Sequence, residues 1–158
     1  MEKIKYTQIT NFLQQKNIAV IGVSRNAQEY SRNLFKELLK LNYNTIPVNP
    51  NITEIENQVC YPSIEDVKTA VDAAIILTPS VTLVNIVHDC ISKGIRHLWI
   101  YNGNEKDEHL RSSIDICREK NVSLIFGFCP FMFLPGTAIP HRIHGKLAKI
   151  FGKYPVRG

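Results

Sequence analysis

The chain has 158 residues, of which 44% are hydrophobic and 21% charged, with a formal net charge of +5 from 19 Lys and Arg against 14 Asp and Glu. That length and apolar content suit one ordinary domain with its own core and exclude the need for disulfide or metal staples. The modest positive balance fits an anionic small ligand as well as it fits plain solubilising charge.

In chain order, Thr7 to Leu13 reads as an opening helix capped by Thr7. Ile18-Ala19-Val20-Ile21-Gly22-Val23 is a continuous apolar run, the pattern of a strand buried on both faces. After a polar stretch, Leu34, Phe35, Leu38, Leu39 and Leu41 recur at helical spacing, opposite Arg32, Lys36, Glu37 and Lys40. Thr45 to Pro50 is a second strand. Cys60 to Val67 suggests a turn and a short helix capped by Ser63. Val71 to Leu77 is a third strand, and Thr78-Pro79-Ser80 opens a helix that stops at Gly94. Arg96 to Tyr101 is a fourth strand, Asn102-Gly103-Asn104 a turn, and a helix runs from there to about Lys120. Val122 to Phe126 is a fifth strand. A Pro-containing apolar loop, Phe128 to Pro140, leads into a basic helical segment from about His141 to Phe151.

Strands that alternate with helices imply βαβ units. The expected fold is α/β, a doubly wound, Rossmann-like parallel sheet of about five strands with helices on both faces. Residues 1–130 form the domain. Residues 131–158 form a helical extension that packs back on it, since its apolar residues would otherwise be exposed.

Cys60, Cys90, Cys117 and Cys129 are scattered without a C-x-x-C pair, so they read as reduced, mostly buried thiols. The charged start, Met1-Glu2-Lys3-Ile4-Lys5, has no apolar h-region behind it, and no apolar run is long enough to cross a bilayer. The expectation is a cytoplasmic protein without a membrane segment.

In an open α/β sheet, ligands sit beyond the carboxyl ends of the strands, where strand order reverses. Strand one ends in Gly22-Val23-Ser24-Arg25, and its helix begins near Tyr30-Ser31-Arg32. Gly22 lets backbone approach a ligand closely. Ser24 and Ser31 offer hydroxyls, Arg25 and Arg32 offer cations, and the helix start offers free N–H groups to a phosphate. Only one glycine of G-x-G-x-x-G is present. The second strand ends in Val48-Asn49-Pro50-Asn51, with no acid for ribose hydroxyls, which argues against NAD and tolerates a ribose carrying phosphate.

These residues, in this order, resemble the CoA-binding domain family, the small Rossmann proteins similar to the nucleotide-binding domain of the succinyl-CoA synthetase α-subunit. The resemblance runs from about Asn17 to Pro130. It comprises the Ile18-to-Ser24 strand and turn, the helix start at Tyr30-Ser31-Arg32, the V-x-P turn at Val48-Asn49-Pro50, and Val71-Asp72 with Thr78-Pro79. Leu98 to Gly103 and Cys129-Pro130 complete it. It implies coenzyme A as ligand. Gly22, Val23, Ser24, Arg25, Ser31 and Arg32 fall to the pyrophosphate, with Tyr30 at the same helix start. Val48, Asn49 and Pro50 fall to the adenosine, and Thr78, Pro79, Ile100, Asn102 and Gly103 to the remaining contacts. The family's Lys after the second-strand proline is replaced here by Asn51. Charged residues that often flank the Cys-Pro pair are replaced by Gly127-Phe128 and Phe131-Met132. The family also places Cys129 near the site, where it could pair with a ligand thiol.

No Ser-His-Asp set, carboxylate pair or Walker A loop is visible. His141 and His144 lack a third metal ligand. The basic face of the tail, with Arg142, Lys146, Lys149, Lys153 and Arg157, reads first as solvated and only second as a nucleic-acid surface. The lack of a catalytic set points to binding, and with the resemblance it implies a non-catalytic module for CoA or acyl-CoA, a carrier or sensor, acting as a homodimer or with a partner protein. The alternative is an NADP-linked oxidoreductase, using Tyr101 as proton donor, or another nucleotide-using enzyme such as a nucleotide-sugar enzyme in the same cleft.

Overall fold

The computed structural model describes residues 3–101, 103–136 and 155–156. Helix α1 (Tyr6–Leu13) begins one residue before the expected cap. Its start is set at Lys5, whose N–H donates to Gln8 Oε1 at 2.7 Å, so Thr7 lies inside the first turn. Gln8 Nε2 in turn donates to the Leu124 carbonyl at 3.2 Å, which ties α1 to the sheet.

The sheet comprises β1 (Asn17–Ile21), β2 (Asn44–Val48), β5 (Ala73–Ile76), β6 (His97–Ile100) and β7 (Ser123–Phe126), and every pairing is parallel. Its order is β2-β1-β5-β6-β7. Helices α2 (Tyr30–Lys40), α3 (Leu83–Ser92) and α4 (Glu108–Glu119) connect the strands. Ile18, Ala19, Val20, Ala73 and Ala74 are fully buried, as strands require that are covered on both faces. Trp99 on β6 is the largest fully buried side chain. It meets Phe12 of α1 edge-on at 5.2 Å and donates Nε1–H to the Phe128 carbonyl at 2.9 Å.

Three local expectations are corrected. Residues 60–67 form no helix. The Ser63 hydroxyl donates to Asp66 Oδ2 at 2.7 Å rather than accepting a helix N–H, while Ile64 and Val67 turn into the core. Helix α3 starts later than Thr78-Pro79-Ser80, because a 3₁₀ turn, Ser80–Thr82, comes first. Thr82 Oγ1 closes that turn by donating to the Pro79 carbonyl at 2.8 Å. A short antiparallel hairpin, β3 (Glu54–Ile55) with β4 (Gln58–Val59), was not anticipated. Its tip residues Glu56 and Asn57 have φ of 47° and 58°, the left-handed pair that a two-residue hairpin turn demands. Gly94 ends α3 at φ 87°, as expected.

Val156 lies beside the start of the chain, its carbonyl accepting from Tyr6 N–H at 2.8 Å. The basic segment from His141 to Phe151 lies outside the described residues. Among those described, no helix is long and apolar enough to cross a membrane, and no cluster of metal-ligand side chains occurs.

Cys90 and Cys117 are 0% and 1% exposed. Burial pushes both thiols up to about 12, helped at Cys90 by Asp89 and Cys117. Mass spectrometry after iodoacetamide treatment at mild alkaline pH should therefore find both unmodified in the native protein and modified once it is unfolded. The sign of the linked stability follows. The folded state keeps protons that the unfolded thiols release near their ordinary 9.0. Stability should fall as pH rises from about 9 toward 12.

Candidate functional site

Strand β1 continues through α2 to β2 on one side of the sheet. Strand β5, on the other side of β1, continues through α3 to β6. Strand order therefore reverses between β1 and β5, and a crevice opens beyond their carboxyl ends.

Gly22 stands at that reversal with φ 93°. A Cβ here would lie 2.9 Å from Thr78 Cγ2 and 3.1 Å from the Leu77 carbonyl carbon. The close approach is fixed on both sides. Gly22 N–H donates to the Val48 carbonyl at 2.9 Å, and Leu77 N–H donates to the Ile21 carbonyl at 2.9 Å. Gly22, Val48 to Pro50, and Thr78-Pro79 thus meet at one place.

The turn after Gly22 is held by its own side chains. Ser24 N–H donates to Ser31 Oγ at 2.8 Å, and Asn26 N–H to Ser24 Oγ at 3.1 Å. Asn49 Nδ2 donates to the Val23 carbonyl at 2.8 Å, and its Oδ1 accepts from Asn51 N–H at 2.8 Å. Arg25 Nη2 donates to the Asn51 carbonyl at 2.6 Å. Arg32 Nη1 reaches the Ser24 and Arg25 carbonyls at 3.3 and 3.2 Å, while its guanidinium pairs with Glu56 at 2.7 Å. So Ser31, Arg32 and Asn49 shape the cradle, and Arg25 is the cation that enters no ion pair among the described residues. Glu56, in the unanticipated hairpin, is the residue that sequence reasoning missed. The signal for it was the Glu56-Asn57 turn between Ile55 and Gln58.

Ser31 is 9% exposed. Ser31→Ala should leave the Ser24 N–H without its acceptor and cost about 1–3 kcal/mol in a urea titration.

A cavity of about 570 Å³ lies on the β2 side of the reversal. Its walls are Gly22, Val48 to Asn51, Pro62 to Ile64, Leu77 to Pro79, and one face of α3. That α3 face, with Asn85, Ile86 and Asp89 after Thr82, was also missed, although the spacing of three, four and seven is that of a single helix face.

Other expected residues fall elsewhere. The Val23 and Ile100 side chains are buried in the core at 0% and 1% exposure, so contact through them is backbone contact. Gly103 packs on the backbone of Gly127, where a Cβ would come within 3.1 Å of its nitrogen. Asn102 lies outside the described residues. Tyr30, at the start of α2, stacks on Tyr101 with ring centres 4.2 Å apart, and its hydroxyl meets Cys129 Sγ at 3.3 Å. Burial first, then Cys129, raises the Tyr30 phenol far above its ordinary range. Burial also raises Tyr101, which opposes the proton-donor role that the oxidoreductase alternative needs.

Comparison with known proteins agrees with this fold. The chain is 31% identical over 140 residues to the ADP-forming acetate–CoA ligase of Methanocaldococcus jannaschii, covering 86% of this chain and 19% of the relative. It is 32% identical over 120 residues to the ADP-forming acetate–CoA ligase II of Archaeoglobus fulgidus, covering 71% and 18%. The chain thus spans less than a fifth of the length of these relatives. A solved structure of a conserved hypothetical protein from Pyrococcus furiosus superposes with a TM-score of 0.64 at 28% identity, covering 73% of this chain and 96% of that one. Residues 16–135 match the family model described as the CoA binding domain, and the chain belongs to the CoA-binding domain family.

Proposed function

We propose that this chain is a binding module for CoA or an acyl-CoA that acts as a carrier or sensor and performs no chemistry of its own. The observation that carries the reading is the cavity beside the β1–β5 reversal, closed by an acid-free β2 end. The pyrophosphate lies over Gly22 and Ser24, against the start of α2, where Glu29 makes no side-chain cap and the helix N–H groups favour an anion. Arg25 adds a charge-assisted contact. The adenosine enters the cavity past Val48, Asn49 and Pro50. The rest of the ligand passes Thr78 and Pro79 toward the ends of β6 and β7, near Ile100 and Gly103. The Asn49 side chain is a neutral amide, held in place through both of its polar atoms, and it brings no negative charge against a phosphorylated ribose. An NAD-type acid would bring one.

Thermal and urea unfolding with added CoA test the proposal. At about a hundredfold excess over the dissociation constant, CoA should raise the unfolding free energy by about 2.7 kcal/mol. Stabilisation by NAD or NADP with none by CoA would reject it.

A further inference from the structure

The chemistry of the cavity is lopsided. Its walls carry no Lys or Arg, and Asp89 is their one carboxylate. Asp89 lines the cavity two turns along α3 from Thr82, and it is half-buried. Among the described residues its carboxylate takes part in no hydrogen bond or ion pair. Lys93, one turn further on, donates Nζ to the Val67 carbonyl at 2.7 Å instead. The same walls include Ile64 and Ile86.

A carboxylate is an acceptor only, and beside apolar walls it demands a donor. It repels phosphate, so the ligand's phosphates stay by the Gly22 turn and an uncharged, donor-bearing group faces Asp89. The β2 side of a strand-order reversal holds the adenosine half of a nucleotide ligand. Adenine fits the demand. Its faces are apolar, and its 6-amino group carries two donor hydrogens. A 6-oxopurine presents an acceptor at the same place.

We propose that Asp89 accepts a hydrogen bond from the 6-amino group of an adenine ring and makes the cavity selective for 6-aminopurines over 6-oxopurines. This rests on the reading above that the ligand is a nucleotide of the CoA type. Asp89 is a specificity residue and takes part in no reaction.

The test is calorimetric titration of two ligand pairs, CoA with its deaminated form and ADP with IDP, against the unaltered protein, Asp89→Ala and Asp89→Asn. Each pair differs at the 6-position, as amine or oxygen. The unaltered protein should prefer the amine by about tenfold or more, as a charged hydrogen bond gives. Asp89→Ala should bring both members of a pair to similar affinity. Asp89→Asn should bring the two members of a pair to similar affinity with little loss of overall binding, because an amide can turn to accept from the amine or donate to the oxygen. Loss of shape alone would weaken both members equally, so loss of the preference in the near-isosteric Asp89→Asn separates recognition from packing. Equal binding by the unaltered protein, or an amine preference that survives in Asp89→Ala, would overturn the proposal. If CoA fails to bind while ADP is preferred over IDP and Asp89→Ala abolishes that preference, the CoA reading falls and the assignment of Asp89 stands. Absence of binding by all four ligands overturns both.

Discussion

Gly22→Ala should lower the unfolding free energy by about 2–5 kcal/mol and weaken CoA binding by more than tenfold. Two costs add. The backbone stands at φ 93°, a conformation that costs a residue with a Cβ about 1–2 kcal/mol. The new carbon would also sit 2.9 Å from Thr78 Cγ2 and 3.2 Å from the Thr78 nitrogen, and such overpacking costs about 1–3 kcal/mol. The functional loss follows from the same geometry. Gly22 joins β1 to β2 through its bond to Val48, and pushing it off Thr78 spreads the strand ends that form the crevice. Thr78→Ser removes Cγ2 but leaves the backbone in place. Combined with Gly22→Ala it should recover part of the stability and not all of it. A neutral Gly22→Ala in urea titration would refute this description of the turn.

Trp99→Ala should cost about 3–5 kcal/mol, the range for emptying an aromatic core site. Trp99 is 0% exposed and packs on both Phe12 and Phe133, the latter at 5.9 Å. Its indole N–H also satisfies the Phe128 carbonyl. Trp99→Phe keeps most of the packing and loses that bond, so it should cost less, about 1–3 kcal/mol. The effect should reach the site. Phe128 precedes Cys129, Cys129 meets Tyr30, and Tyr30 precedes Ser31, which holds the Ser24 turn. Trp99→Phe should therefore weaken ligand binding as well as stability, and paired urea and calorimetric titrations of the two variants measure both.

The sheet was legible in the sequence because its strands are covered on both faces. Ile18 to Ile21 and Ala73 to Ile76 have no polar side to show, and runs of that length alternating with helical spacing leave few alternatives. Their order beside Gly22-Val23-Ser24 and Val48-Asn49-Pro50 carried the family resemblance. Features set by distant partners were hidden. Arg32 promised a free cation for a phosphate, but Glu56 meets it across 24 residues, and nothing in the local pattern announces that pairing. Ser63 followed by Asp66 looks like a helix start, yet hydroxyl and carboxylate bond to each other and leave the backbone unserved. Thr7 lost its capping role to a bond between Gln8 and Lys5. Asp89 is hidden in the sequence because a single acid on an amphipathic helix looks like solvated surface, and only the fold brings Pro62 to Ile64 into the same cavity wall.

The central claim is that the crevice at Gly22 takes CoA in preference to dinucleotides, with the acid-free end of β2 as a reason. Calorimetric titration of CoA, NAD and NADP in one buffer against the same preparation tests it most directly. CoA should bind with micromolar affinity at a stoichiometry near one per chain, and NAD and NADP should give no measurable heat. Binding of NAD or NADP at equal or higher affinity, or no binding of CoA, would contradict it.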